Sequence, residues 1–164
     1  MAAGFREDGR ESNVRTYTLR QYDFSYDLMP GCRMLSFQEY GDDDSRVKVA
    51  EDAFGNQSYS EPRLRSLQNS PSYQPELDLV VVNLQSDSVA YCMGWTEENH
   101  PTSGYIEPMG TRTDYRRKGL GTTLAKECFR RLYGMGVVQV SIASAPEPDS
   151  SNILYESLNP VSTK

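Results

Sequence analysis

Between Gly104 and Ala143 the sequence passes from an extended run into a basic, glycine-bearing turn, then an amphipathic helix, then a second extended run. A strand feeding a helix that leads back to a strand must lay that helix across a sheet, which points to an α/β layered domain. GYIEPMGT, at Gly104–Thr111, reads as a strand. Pro108 has no N–H to give a ladder and Gly110 tolerates unusual φ, so a bulge or bend is expected there. Farther on, Leu120, Leu124, Cys128, Leu132 and Met135 recur at helical spacing, predicting a helix that runs to about Tyr133 and ends at Gly134 or Gly136. Val137–Ala143 follows as a strand.

The turn, Arg116-Arg117-Lys118-Gly119-Leu120-Gly121, is where chemistry concentrates. Glycines at 119 and 121 let a backbone pass close to a ligand, and the first turn of a helix points unpaired N–H groups outward. Several such groups beside three cations form a place for a pyrophosphate. The spacing is neither GxxxxGK[ST] nor GxGxxG, so the two common nucleotide fingerprints are absent. Taken alone, these six residues are equally compatible with a helix start whose basic side chains are merely solvated.

Elsewhere the organisation is that of one mixed domain without internal repeats. Residues 1–15 are almost entirely polar and read as a disordered lead, followed by an alternating stretch, Thr16–Tyr22, of strand character within an N-terminal extension that reaches residue 30. Arg33–Tyr40 is expected to be a strand. Aspartates and a serine before Val47, Ala50 and Phe54 announce a helix over Asp44–Phe54, and Ser60 with Pro62 announces a short one over Pro62–Gln68. LDLVVVNL, at Leu77–Leu84, is apolar almost throughout, as in a strand covered on both faces, and makes a hairpin with Val89–Thr96. Glu97–Thr102 reads as a polar loop and Ser150–Leu158 as a final short helix.

Net charge is −6 with only one histidine, His100, and three cysteines that form no CxxC pair. A basic surface for nucleic acid is therefore not indicated, and neither a disulfide framework, a histidine triad nor a metal site is expected. No run approaches the ~20 apolar residues that a membrane span needs, so the expectation is a soluble, cytoplasmic protein without membrane partners.

The stretch IEPMGTRTDYRRKGLGTTLAKECFRRL resembles the acyl-CoA-binding core of the GNAT superfamily of N-acetyltransferases, whose pattern [RQ]xxGx[GA] is met by Arg116, Gly119 and Gly121. SNILYESL downstream is similar to the family's segment beyond the fifth strand, and fainter similarity extends the coverage to roughly residues 31–158. The resemblance implies a GNAT-like fold over residues 31–164: a central, mostly antiparallel mixed sheet flanked by helices. It further implies that acetyl-CoA is the cosubstrate and that an amine attacks its thioester directly. The implied donor site comprises Met109, Gly110, Thr111, Arg116, Arg117, Lys118, Gly119, Leu120, Gly121, Thr122 and the Asn152 amide. Glu107, just before the bend, is the implied proton acceptor, and Tyr155 the implied acid for the leaving thiolate. The plain alternatives are a solvent-facing Glu107 and a Tyr155 that caps the core. Tyr91 and Trp95 are expected in the core.

In two places the sequence departs from the family pattern. The family continues past the tyrosine with a Gly-Phe pair and a last strand, whereas this sequence has Asn159-Pro160 and the last strand is expected to be missing. An uncovered neighbour strand invites association. Its cover is expected from the strand near Thr16–Tyr22, from a partner subunit as in a homodimer, or from a second GNAT domain. The extra segment before Gly31 is the other departure, and it resembles the linker of tandem GNAT proteins. Both support a rival reading, an inactive acyl-CoA-binding module or half of a tandem protein. The acceptor stays open between small-molecule and peptide amines, with a mild field preference for cationic ones.

Overall fold

In the computed structural model, residues 13–55, 60–144 and 150–164 are described. The chain runs through β1 (Asn13–Thr18), β2 (Arg33–Ser36), α1 (Phe37–Tyr40), α2 (Asp43–Phe54), α3 (Glu61–Gln68), β3 (Asp78–Val82), β4 (Ser88–Glu97), β5 (His100–Thr111), α4 (Leu120–Gly134), β6 (Gln139–Ser144), α5 (Ser150–Ser157) and β7 (Ser162–Thr163). The strands form one sheet in the order β2-β3-β4-β5-β6-β1-β7. Every pairing is antiparallel except that of β5 with β6, which α4 joins as a crossover. This is the mixed, mostly antiparallel α/β architecture expected from the sequence.

All five residues of β3 are buried, because helices cover both faces of the sheet. On one face Leu79, Val81, Cys92 and Ile106 pack with Leu124, Phe129 and Leu132 of α4. On the other, Val80, Val82 and Tyr91 meet Val49 and Ala50 of α2 and Leu64 of α3. Each such buried aliphatic side chain contributes roughly 1.5–3 kcal/mol over leaving it in water. Helix starts follow their capping residues: Asp42 accepts from the Ser45 N–H and Ser60 from the Arg63 N–H.

Two elements depart from expectation. Arg33–Tyr40 is not one strand: β2 stops at Ser36, whose hydroxyl accepts from the Glu39 N–H while the Glu39 carboxylate takes the Ser36 N–H. That reciprocal pair turns the chain into the short helix α1. The expected loop at Glu97–Thr102 is only a tight turn at Glu98–Asn99, since β5 begins at His100 and Glu97 pairs with it. A long hairpin satisfies these polar residues through their backbones, whatever their side chains prefer.

At the expected missing strand, the place beside β6 is filled by β1. Asn13–Thr18 pairs antiparallel with Ser144–Gln139, and β7 adds to its far side. The strand expected over Thr16–Tyr22 thus starts earlier and ends at Thr18. Residues 13–15, read as part of a disordered lead, are its first half; residues 1–12 lie outside the described part. Arg15 misled the reading, because a charged side chain in a strand looks solvent-bound. It is instead buried, donating to Glu156 at 2.7 Å and to the Ser144 hydroxyl at 2.8 Å.

Candidate functional site

The β5–β6 ladder covers only Ser103–Ile106 against Gln139–Ile142, after which the two strands part. From Glu107 onward β5 keeps β4 as its sole neighbour, and Ala143 and Ser144 of β6 pair only with β1. The parting coincides with a bulge. Cys92 pairs with Met109 but Gly94 with Ile106, so Glu107 and Pro108 together face the single residue Met93. Beyond the bulge the Arg112 N–H donates to the Val89 carbonyl. Antiparallel alternation then directs the Gly110 amide to β4 and the Met109 and Thr111 amides to the open edge. Of these three residues, only Met109 and Thr111 thus turn their amides to the gap. Gly110 serves packing: a Cβ there would lie 3.0 Å from Ala53 Cβ and 3.0 Å from the Tyr91 ring, so glycine lets the end of α2 approach.

An open cavity of about 1600 Å³ occupies this gap and continues onto the face of the sheet that carries α2 and α3. On its α4 side lie Gly119, Leu120, Gly121 and Thr122. Gly119 is the N-cap at φ +80°, a left-handed conformation suited to glycine, and no side chain caps the helix. Thr123 is the first residue whose N–H returns to the Gly119 carbonyl. The amides of Leu120, Gly121 and Thr122 consequently stand at a bare helix end, which favours an anion. Gly121 also seats α5, since a Cβ would meet Leu154 Cδ2 at 2.6 Å.

The three cations of the turn are placed differently from one another. Arg116 reaches back to the carbonyls of Thr111 and Ala53 at 3.4 and 3.3 Å, closing the end of α2 over the turn. Arg117 lines the cavity. Lys118 lies outside the lining, its ammonium 5.6 Å from the Tyr115 ring centre.

On the α2/α3 side the walls are Trp95, Tyr105 and Glu107 from the sheet, with Phe54, Arg63, Leu67, Ser70 and Ser72 opposite. The Trp95 and Tyr105 rings stack, 6.1 Å apart and 15° from parallel. The indole N–H donates to the Glu107 carbonyl at 2.6 Å. The Tyr73 ring meets the indole edge-on at 6.3 Å, and its hydroxyl donates to Asp78 at 2.5 Å. Burial raises Asp78 above the ordinary carboxylate range despite Arg46, whose guanidinium stays 3.9 Å away and lies 3.3 Å above the Tyr91 ring. Glu107 itself is exposed to the cavity.

At the β6 end Tyr155 is buried and lines the cavity, while its backbone carbonyl accepts from the Tyr17 hydroxyl at 2.6 Å. Burial pushes the Tyr17 phenol up, so it stays a hydrogen-bond donor. Asn152 does not line the cavity; its side-chain oxygen accepts from Ser144 at 2.6 Å, within the network anchored by Arg15. The structure thus gathers Glu107, Met109, Gly110, Thr111, Arg116, Arg117, Gly119, Leu120, Gly121, Thr122 and Tyr155 around one cavity and leaves Lys118 and Asn152 outside its walls. Sequence reasoning assigned Trp95 to the core, and it is both: 4% exposed and part of the wall. None of Arg63, Leu67, Ser70 and Ser72 was named from the sequence, which read Pro62–Gln68 only as a short helix; they come to the cavity through α3 and the turn after it.

Residues 44–158 match the model of the Acetyltransferase (GNAT) family. No curated protein matches the sequence significantly. Among solved structures, a GCN5-related N-acetyltransferase from Sphaerobacter thermophilus is similar at TM-score 0.76 and 24% identity, over 93% of this chain and 49% of that one. A tandem GNAT protein from the clavulanic acid biosynthesis pathway is similar at 0.67 and 14%, over 94% and 51%. The ribosomal-protein-S18-alanine N-acetyltransferase from Escherichia coli is similar at 0.64 and 19%, over 78% and 76%. The chain therefore spans about half the length of the first two.

Proposed function

The chain belongs to the Acetyltransferase (GNAT) family, and from that premise we propose that it transfers an acetyl group from acetyl-CoA to a primary amine. The observation that carries this reading is the bare N-terminus of α4 standing at the mouth of the split between β5 and β6. In the proposal the Leu120, Gly121 and Thr122 amides, with Arg117 beside them, hold the diphosphate of the donor. The unpaired edge of β5 then offers backbone groups to the pantetheine amides, in the way an edge strand accepts an added one.

Chemistry follows from the order of groups along the gap. A neutral amine attacks the thioester carbon, and negative charge grows on the carbonyl oxygen, where the Met109 and Thr111 amides supply fixed donors. The Glu107 carboxylate accepts the proton that the amine loses, directly or through one water. The C–S bond breaks as Tyr155 gives its phenolic proton to the departing thiolate, so no acyl-enzyme forms.

A second reading is favoured by one fact, that this chain spans about half of two similar proteins. In it the chain is an inactive acyl-CoA-binding module, or half of a tandem protein whose other domain, or a second copy, acts with it. Two measurements separate the readings. Acetyl-CoA at 100 times its Kd raises the unfolding free energy by ~2.7 kcal/mol under either. Release of free thiol in the presence of a panel of amines is expected only under the first, and binding without release favours the second. If acetyl-CoA fails to raise Tm, both readings fall.

A further inference from the structure

Helix α5 is only eight residues long and ends at Ser157, with Asn159-Pro160 just beyond. Its last carbonyls therefore need donors from elsewhere. The Asn159 N–H, which would serve Tyr155 in a longer helix, goes to the Glu156 carbonyl instead, and Pro160 has no N–H to give. A donor for Tyr155 comes from β1, where the Tyr17 hydroxyl meets the Tyr155 carbonyl at 2.6 Å. Arg15 and Tyr17, two residues apart on a strand, share one face, and Arg15 reaches the same helix by donating to Glu156 at 2.7 Å. It also donates to the Ser144 hydroxyl at 2.8 Å, which in turn donates to the Asn152 side chain in the first turn of α5. Tyr17 is fully buried, and its ring packs on Phe129 of α4 with the centroids 5.0 Å apart. Helix α5 also lies against the start of α4, where Leu154 fills the space that a Cβ on Gly121 would take.

Resting on the acetyl-transfer reading above, we propose that Tyr17 is a positioning residue for that reaction: by holding the Tyr155 carbonyl, its hydroxyl sets where the Tyr155 phenol stands in the cavity. In that reading the C–S bond breaks as the phenol gives its proton to the CoA thiolate. The step is sensitive to placement, since a displacement of about 1 Å at a reacting group costs about 10²-fold. Arg15 tethers the neighbours of Tyr155, whereas Tyr17 fixes the backbone of the residue itself. Tyr22 makes a bond of the same kind, its hydroxyl donating to the Leu158 carbonyl at 2.7 Å, but three residues past Tyr155 and beyond the end of α5. Its loss loosens the same region without touching the residue that carries the proton.

The test measures thiol release from acetyl-CoA, well below each variant's Tm, with whichever of phenethylamine, glycine ethyl ester, spermidine and kanamycin the parent turns over fastest. Tyr17→Phe keeps the ring on Phe129 and removes only the O–H, so it is expected to fold with a lower Tm. Its kcat is expected to fall about tenfold or more while KM for both substrates stays within about twofold. Tyr22→Phe is expected to lower Tm but to change kcat by less than about twofold. Introduced into Tyr155→Phe, Tyr17→Phe is expected to lower kcat by less than about twofold further, because no phenol remains to be positioned. A role in stability alone would cost the same factor in both backgrounds. Unchanged kcat in Tyr17→Phe, an equal loss in Tyr22→Phe, or the full loss repeated in the double variant overturns the proposal. Parent-like turnover in Tyr155→Phe also overturns it but leaves acetyl transfer standing. Acetyl-CoA that raises Tm without thiol release to any amine, or that leaves Tm unchanged, removes the acetyl-transfer reading as well.

Discussion

The indole N–H of Trp95 and the backbone carbonyl of Glu107 meet at 2.6 Å where the β4–β5 register slips. That carbonyl sits inside the bulge, so the indole partly takes over the work of the interrupted ladder.

Replacing Trp95 by Phe keeps a ring but removes the donor. Losing this part-buried hydrogen bond costs about 0.5–1.5 kcal/mol, and the smaller ring adds a void. Thermal unfolding is expected to show a Tm lower by about 2–4 °C for each kcal/mol lost. Acceptor KM is expected to rise more than acetyl-CoA Kd, because the loosened wall lies across the cavity from the α4 turn proposed to hold the donor.

Gly119 and Gly121 are expected to respond differently to alanine. At φ +80° an L-residue carries roughly 1–2 kcal/mol of strain, so Gly119→Ala should lower Tm and weaken acetyl-CoA binding by calorimetry. In Gly121→Ala the new methyl meets only the end of the Leu154 side chain, which can rotate away. Its effect on Tm should be the smaller of the two.

Loss of the phenolic proton in Tyr155→Phe is expected to lower kcat by about 10²–10⁴-fold while the Tm shift with acetyl-CoA persists. Glu107→Gln should act on the same parameter, with the deficit greatest for amines that are mostly protonated at the assay pH. Equal kcat in the variants and the parent would remove these two residues from the mechanism.

Acid sensitivity should trace to Glu127 and Glu156. Burial pushes Glu127 up, but hydrogen bonds from Arg130 at 2.5 Å, Arg131 at 2.8 Å and Tyr26 outweigh it and hold the carboxyl below its ordinary 4.5. Glu156 is held below 4.5 first by its hydrogen bond from Arg15. A depressed folded pKa gives stability that is present above 4.5 and lost as pH falls through the folded value. Asp78, raised by burial, has the opposite sense and loses its contribution as pH rises. Between about pH 6 and about pH 3.5, Tm should fall; in Glu127→Gln it should start lower, by about 1–2 kcal/mol of stability, and fall less steeply.

Where local chemistry decided the structure, the sequence was readable. The Ser60-Pro62 start of α3, the glycine turn before α4 and the doubly covered β3 all carry signals that act over a few residues. The Ser36–Glu39 capping box was equally legible as S-x-x-E, yet it lies inside the stretch Arg33–Tyr40 read as a strand, although Met34 and Phe37 there do not alternate cleanly. Long-range pairing was not legible. Nothing near Arg15 announces Glu156 or Ser144, and nothing near Arg46 announces a guanidinium with no exposed surface stacked on Tyr91. The part of the cavity proposed for the donor lies mostly in one continuous stretch, Met109–Thr122, so its residues could be named. By contrast, the other wall of the cavity is assembled from α2, α3, β4 and β5, and only folding brings Arg63 and Trp95 together there.

The place of β1 between β6 and β7 has a consequence for how the molecule forms. Its partners on β6 are more than a hundred residues farther along the chain, so the strand is synthesised well before them and waits unmatched until the elements between have emerged. Closing so large a loop is slow, and during that wait its exposed edge is open to strangers. Correct assembly of the gap between β5 and β6 therefore depends on a rendezvous between two strands far apart in the polypeptide.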